Sequence, residues 1–242
     1  MEKRPRRAAI TGDGGLLRQI IEAATEGSVD LLDDVMKEDR RILDKVVLGF
    51  LSSNPLHTAA WCGHVGFVEK LLQLNLTLAR GLDSMGRTAL HLASTRGHVA
   101  VVRVLMEKAP EMCLARDRDG RNPIQVAALN GKVDVLEVLV EARPRAARAR
   151  LEQDETILHL CVNLNELQCL QLLLKMIDDK EFVNARDCEG NTILHLAIIG
   201  KRFEVWLHFL SGLILVYLRL VPFFLIVIYY GLNSILVPLV LL

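Results

Sequence analysis

Residues 86–119, GRTALHLASTRGHVAVVRVLMEKAPEMCLARDRD, decide the fold of this chain. The run from Thr88 to Ala93 predicts the start of a short helix, and Gly97 and His98 predict a turn. The run from Val99 to Met106 predicts a second, apolar helix. Neither helix is long enough to bury its apolar face alone, so the unit predicts copies of itself on either side.

The copies follow at a nearly constant spacing. The position of Thr88 recurs at intervals of 34, 34, 34 and 36 residues, as Asn54, Asn122, Thr156 and Thr192. The position of His91 recurs as His57, Gln125, His159 and His195. The position of Gly97 recurs as Gly63, Gly131, Asn165 and Lys201. A glycine or asparagine there can end the first helix in the left-handed conformation, but a lysine cannot do so cheaply. We therefore expect the last of these turns to shift to Gly200.

The repeated segments resemble the ankyrin repeat, whose TPLHxA motif appears here as Asn54-Pro55-Leu56-His57-Thr58-Ala59. The resemblance covers roughly Leu16 to Glu204. It implies an all-α solenoid of about six helix pairs joined by short β-hairpin fingers. It also implies that other proteins bind to the concave face and to the finger tips.

The chain divides into three parts. Residues 1–15 are predicted to be a disordered basic tail, with a role at a membrane surface as the alternative. Residues 16–204 are the repeat domain. Residues 205–242 form a hydrophobic segment, in which Arg219 is the one Asp, Glu, Lys or Arg among 38 residues.

The hydrophobic segment predicts a membrane anchor. Leu220 to Leu242 is 23 residues long and contains 16 Leu, Ile, Phe or Val residues, enough to span a bilayer. Trp206 to Tyr230 is a second register for the span, with Arg219 inside it. One span is favoured over two, because Leu207 to Leu218 is short for a crossing. Lys201 and Arg202 precede the segment, which favours repeats that stay in the cytosol. We therefore expect a protein of a membrane, the plasma membrane by preference.

No catalytic or cofactor site is predicted. The chain lacks a nucleophile, base and orienting residue at a usable spacing, and it has no phosphate-binding loop. The 29 basic and 29 acidic residues balance, so nucleic acid is not an expected partner, and no small-molecule substrate is expected. The five cysteines form no CxxC pair and are read as reduced cytosolic thiols.

The repeated histidines are interpreted as structural. Successive rings in a stack of repeats lie roughly 10 Å apart, too far to share an ion whose bonds are about 2 Å long. We expect the ring nitrogens of His57, His91, His159 and His195 to bond to backbone between repeats, with Gln125 as their substitute. Gly63, Gly97 and Gly131 are also interpreted as structural, because each can end the first helix of its repeat in the left-handed conformation.

The style of the repeats, including residues 190–197 (GNTILHLA), is similar to plant ankyrin proteins of the accelerated-cell-death and "bian da" type. That resemblance implies a cytosolic array joined to a multi-span domain with a Pro-Gly-Gly motif, and a role in defence or stress signalling. No Pro-Gly-Gly occurs here, so the C-terminus is atypical or truncated. The function expected is a membrane-tethered interaction scaffold.

A soluble decoy is the alternative function. From Val205 onward, 25 residues are Phe, Leu, Ile or Val, whose codons share T at the second position. This bias suggests that the segment is translated from a retained intron. A truncated ankyrin module of that kind would bind the same partners without the membrane domain.

The residues expected to touch a partner lie on the fingers and on the exposed side of the first helices. They are Trp61, Met85, Arg87, Thr95, Arg118, Arg121 and Asn191. Trp61 is the expected anchor, because an exposed tryptophan is costly in water and is favoured at binding hot spots. The alternative is that Trp61 packs over the neighbouring divergent repeat.

Overall fold

A computed structural model describes residues 13–47 and 54–205. The described residues form helices joined by turns and short 3-10 segments. In chain order the helices are α1 (Asp13–Glu26), α2 (Val29–Glu38), α3 (Ile42–Val47), α4 (Pro55–Cys62), α5 (Val65–Leu74), α6 (Ala89–Arg96), α7 (Val99–Lys108), α8 (Pro123–Leu129), α9 (Val133–Ala142), α10 (Pro144–Ala147), α11 (Ile157–Leu164), α12 (Leu167–Met176), α13 (Lys180–Val183) and α14 (Ile193–Ile199).

The helices stack in two layers. One layer contains the first helix of each repeat, α1, α4, α6, α8, α11 and α14, and each packs on the next. The second layer contains α2, α5, α7, α9 and α12, and each of these packs on its own first helix and on its neighbours in the layer. The all-α solenoid implied by the resemblance of the repeats is therefore confirmed for the described residues.

Caps at both ends explain why α6 starts and stops where it does. The side chain of Thr88 accepts a hydrogen bond from the backbone N–H of His91, and the His91 ring accepts one from the Thr88 backbone. This reciprocal pair satisfies two amides that the helix leaves unpaired. Gly97 ends the helix with φ of 85°, a conformation that costs glycine nothing.

A continuous apolar core runs between the layers. The position of Leu90, which is 1% exposed, is filled in three other repeats by Leu56, Ile124 and Leu158, each at most 1% exposed. Because each such side chain packs against adjoining repeats, the core is shared along the array.

The fingers differ from the predicted β-hairpins, because no residue in the described parts of the chain lies in a strand. The finger at residues 83–87 contains two backbone bonds, from Asp83 N to Arg87 O at 2.9 Å and from Gly86 N to Asp83 O at 3.0 Å. One more bond, from Arg118 N to Met85 O at 3.0 Å, joins it to the next finger. These bonds make tight turns, but they are too few to form a ladder of paired strands.

The turn after α14 does not shift as expected. Lys201 itself takes the left-handed conformation, with φ of 52°, whereas Gly200 has φ of −78°. Arg202 N bonds to Ala197 O at 2.8 Å, as Lys132 N bonds to Ala127 O in the equivalent turn after α8. The position in the repeat therefore overrides the lysine's own preference, at a cost of roughly 1–2 kcal/mol. The left-handed conformation predicted for Asn165 is confirmed, with φ of 61°.

The two ends of the array can be compared with the domain boundaries predicted from the sequence. Helix α1 begins at Asp13, so the last three residues of the expected tail are helical, and residues 1–12 lie outside the described range. Residues 206–242, with the predicted apolar helix and its span, also lie outside it. Within residues 13–47 and 54–205, no helix has both the length and the apolar character needed to cross a bilayer.

Candidate functional site

Four fingers project between the helix pairs. We call residues 83–87 finger 1, residues 117–121 finger 2, residues 151–155 finger 3 and residues 187–191 finger 4. In each finger the first residue donates its backbone N–H to the carbonyl of the fifth, at 2.9 Å. All four turns therefore share this closing bond, but only fingers 1, 2 and 4 add a bond from the glycine N–H to the aspartate carbonyl, at 3.0 Å.

An aspartate organises three of the four fingers. Asp83 Oδ1 accepts the backbone N–H groups of Met85 and Arg87, both at 2.8 Å. Asp117 and Asp187 accept the equivalent pairs in fingers 2 and 4. Burial alone would raise the pKa of Asp83, but hydrogen bonds from the Arg87 side chain and from these two amides outweigh it and hold the pKa below its ordinary value.

Finger 3 lacks these signals. Leu151 stands where the other fingers have aspartate, and Asp154 stands where they have glycine. Gln153 and Asp154 both have positive φ, of 59° and 62°. Two residues that carry side chains thus occupy a region that favours glycine.

Histidines tie the first helices to the fingers. His91 Nδ1 accepts the Thr88 N–H at 3.1 Å, and its Nε2 lies 3.1 Å from the carbonyl of Arg121 in finger 2. Nε2 must therefore carry the proton in a neutral ring. His159 repeats both contacts, and Gln125 replaces them with its amide, which donates to Ala149 O at 2.8 Å.

Burial favours the neutral form of two rings, those of His57 and His91. It lowers the pKa of His57 and of His91 below the ordinary value. His57 Nε2 lies 3.1 Å from Gly81 O, but its buried Nδ1 has no hydrogen-bond partner among the described residues, because Asn54 caps Leu56 instead. The neutral imidazole is therefore the form that fits the array.

An arginine ladder, which the sequence reasoning missed, runs beneath the fingers. Arg116 donates to Gly120 O at 2.5 Å in its own finger and to Arg150 O at 3.1 Å in the next repeat. Arg150 repeats the pattern by donating to Asp154 O and, at 3.0 Å, to Arg186 O. The spacings of 34 and 36 residues were the available signal. Leu82 occupies the same position before finger 1 and is exposed.

Trp61 lies at the end of α4 on the surface of the first-helix layer. Its side chain is 40% exposed, and the guanidinium of Arg96 lies over the indole ring at 4.8 Å from the ring centre. Arg96 ends the first helix of the following repeat, so the cation that stacks on the ring does not come from the preceding divergent repeat. Thr95, at the equivalent position, is half-buried and donates its hydroxyl to His91 O at 2.9 Å.

The finger residues expected to touch a partner divide into two groups. Met85 is 43% exposed at the tip of finger 1, and Arg118 is exposed at the tip of finger 2. Arg87 is paired with Asp83 at 2.8 Å, and Arg121 with Asp119 at 3.0 Å. Asn191 donates to Asp187 and Glu189 within finger 4. Met85 and Arg118 therefore present the most available side chains of this set.

A family model described as Ankyrin repeats (3 copies) matches residues 20–116, 56–150 and 144–212. The chain belongs to the ankyrin-repeat family. A comparison with curated proteins finds no match. The helix pairs, caps and finger turns described above are therefore those of an ankyrin array.

Charge divides the ankyrin fingers into two halves. Fingers 1 and 2 contain equal numbers of acidic and basic residues. Finger 3 contains Glu152, Asp154 and Glu155, and finger 4 contains Asp187 and Glu189, with no lysine or arginine in either. A charged partner therefore meets two different surfaces along one row.

The thiols of the ankyrin array are all free. Burial raises the pKa of Cys169 to about 11 and raises that of Cys161 as well. Both thiols stay protonated near neutral pH, which suits packing in the core rather than nucleophilic chemistry.

Proposed function

We propose that this ankyrin protein is a non-enzymatic scaffold that binds another protein along its concave face. The binding surface consists of fingers 1 to 4 and the exposed side of the first helices. The exposure of Trp61 carries the proposal, because an indole left in water gains most from burial against a partner. Met85 and Arg118 add an apolar and a charged contact at the finger tips.

A capture experiment tests the binding surface. The full chain serves as bait in a mild detergent, beside Trp61→Ala and Leu74→Ala variants. Leu74 is the matched control, because it is 41% exposed but lies on the second-helix layer. A genuine partner is retained by the wild type and by Leu74→Ala and is depleted with Trp61→Ala. Proteins retained equally by all three baits would contradict the proposal.

The proposal extends to residues 205–242 as a tether that keeps the array on the cytosolic side of a membrane, with the plasma membrane preferred. Its support is the apolar composition of the segment and the preceding Lys201 and Arg202. A tethered chain pellets with membranes, resists a carbonate wash and becomes soluble when residues 205–242 are deleted. A full chain that stays in the supernatant would instead support the soluble decoy.

The pathway is proposed from the family resemblance to plant ankyrin proteins of defence and stress signalling. The fold alone does not imply a pathway. Loss of the gene should alter the response to a pathogen or to salt. An unchanged response to both would remove this part of the proposal.

A further inference from the structure

The stacked pair of Trp61 and Arg96 has a chemistry of its own. A guanidinium lying on an aromatic face keeps the N–H groups at its edges free, and these edges match the two oxygens of a carboxylate. The indole holds the cation in place, so little conformational freedom is lost when a carboxylate binds. This surface is therefore prepared for an anion beside an apolar contact.

Arg96 and Arg118 are also uncompensated. In the described parts of the chain neither side chain has a carboxylate within ion-pair distance, whereas Arg87 and Arg121 are each paired inside their own finger. Arg96 ends α6, and the backbone N–H of Arg118 donates to the carbonyl of Met85 in finger 1, before that helix begins. The two cations therefore lie toward opposite ends of α6, whose own length is about 12 Å.

The acidic half of the array limits where an anionic partner can lie. Finger 3 and finger 4 carry five carboxylates on their tips and turns, one of which, Asp154, lies 4.0 Å from the guanidinium of Arg150. Like charges placed together cost affinity and exclude a wrong register. An acidic segment is therefore accepted beside repeats two to four, from α4 to finger 2, and rejected further along.

We propose that the surface formed by Trp61, Met85, Arg96 and Arg118 binds an acidic protein segment. One carboxylate of the segment takes paired hydrogen bonds from Arg96, a second meets Arg118, and an apolar side chain packs on Trp61 or Met85. This inference rests on the proposed function, and it adds the charge of the partner and the end of the array at which it binds.

Two labelled peptides of equal length test the charge preference on the full chain. One alternates glutamate and leucine, and the other alternates lysine and leucine. Fluorescence anisotropy should show the glutamate peptide binding at least about tenfold more tightly at low salt, with the difference shrinking as salt rises. Equal binding of both peptides, or tighter binding of the lysine peptide, would overturn the inference.

Two substitutions localise the effect. Arg96→Glu should weaken the glutamate peptide about tenfold or more, whereas Arg103→Glu, at an exposed position on α7 in the other layer, should leave it unchanged. Equal losses from both variants would show a general charge effect and contradict the proposal. Glu152→Lys changes the acidic half of the array and leaves Trp61 and Arg96 intact. It should tighten binding of the glutamate peptide.

Other polyanions test whether the surface distinguishes an acidic protein segment from negative charge in general. A single-stranded oligonucleotide and anionic lipid vesicles should bind more weakly than the glutamate peptide and should not depend on Arg96. Arg96-dependent binding of either at equal strength would mean that the surface recognises charge alone. If Trp61→Ala depletes a captured partner and Arg96→Glu does not, the scaffold function stands and the acidic-partner inference fails. If neither variant depletes it, both fail.

Discussion

Fingers 1 and 3 are closed by the same backbone bond but have very different sequences. Finger 1 has an aspartate that accepts two backbone amides and a glycine with φ of 72°. Finger 3 has Leu151, which can accept none, and Asp154, which takes the left-handed conformation despite its side chain. Local signals are therefore sufficient for the turn in one place and unnecessary in another.

Finger 3 is held by contacts from outside its own turn. Cys188 of finger 4 donates its N–H to Gln153 O at 2.9 Å, as Arg118 N does to Met85 O in finger 1, and Arg150, just before the finger, binds the carbonyls of Asp154 and Arg186. Finger 1 has no such arginine, because Leu82 takes its place. In an array of stacked repeats, a weak unit is held by the units that flank it.

The largest expected effect is the loss of a core leucine, and it should be the same behind finger 1 and behind finger 3. Leu90 and Leu158 lie in the core behind fingers 1 and 3, and each is 1% exposed. Leu90→Ala and Leu158→Ala should each lower the free energy of unfolding by about 2–5 kcal/mol, through lost burial and a residual cavity. Urea titrations measure both. A large difference between them would mean that finger 3 weakens the core as well as the turn.

Substitutions at the first position of the finger should change the stability of fingers 1 and 3 in opposite directions. Asp83→Ala leaves two amides and Arg87 without their acceptor and should cost about 1–3 kcal/mol. Leu151→Asp introduces the missing acceptor and should stabilise by up to about 1 kcal/mol. Thermal melts of the two variants should therefore move in opposite directions. Two shifts of the same sign would show that the side chain at this position does not shape the turn.

The left-handed position gives a smaller, paired effect. Gly86→Ala forces a side chain into positive φ and places its Cβ 3.3 Å from Arg118 N, so it should destabilise by about 1 kcal/mol. Asp154→Gly relieves the same strain in finger 3 and should be stabilising by somewhat less than about 1 kcal/mol, because glycine also loosens the unfolded chain. A destabilised Asp154→Gly variant would show that the Asp154 side chain contributes more than its backbone costs.

Acid should weaken the array through the histidines that join helices to fingers. The pKa of His91 is lowered by burial from an ordinary value of 6.5, so the unfolded chain binds protons first. Stability is therefore complete above about pH 6.5 and falls as the pH drops toward the lower, folded value. His91→Gln, which copies the natural Gln125 of the next repeat, should reduce the slope of stability against pH below that point. An unchanged slope would remove His91 from the acid response.

Much of the fold could be predicted because each repeat uses the same caps at the same spacing. Thr88 and Gly97 each do one local task, as does Nδ1 of His91, and a local task leaves a local sequence signal. Lys201 misled the prediction because its conformation is imposed by packing around the turn. The stack of Arg96 on Trp61 could not be predicted, since it joins side chains of neighbouring repeats that only the folded array brings together.

The binding surface is tested most directly by measuring affinity and stability on the same pair of variants. With a partner identified by capture, calorimetry of Trp61→Ala should show a loss of more than about 1 kcal/mol, or roughly fivefold, while the melting temperature changes little. Leu74→Ala should change neither quantity appreciably. A Trp61→Ala variant that loses stability but keeps its full affinity would place Trp61 in the support of the array and contradict its role as the anchor.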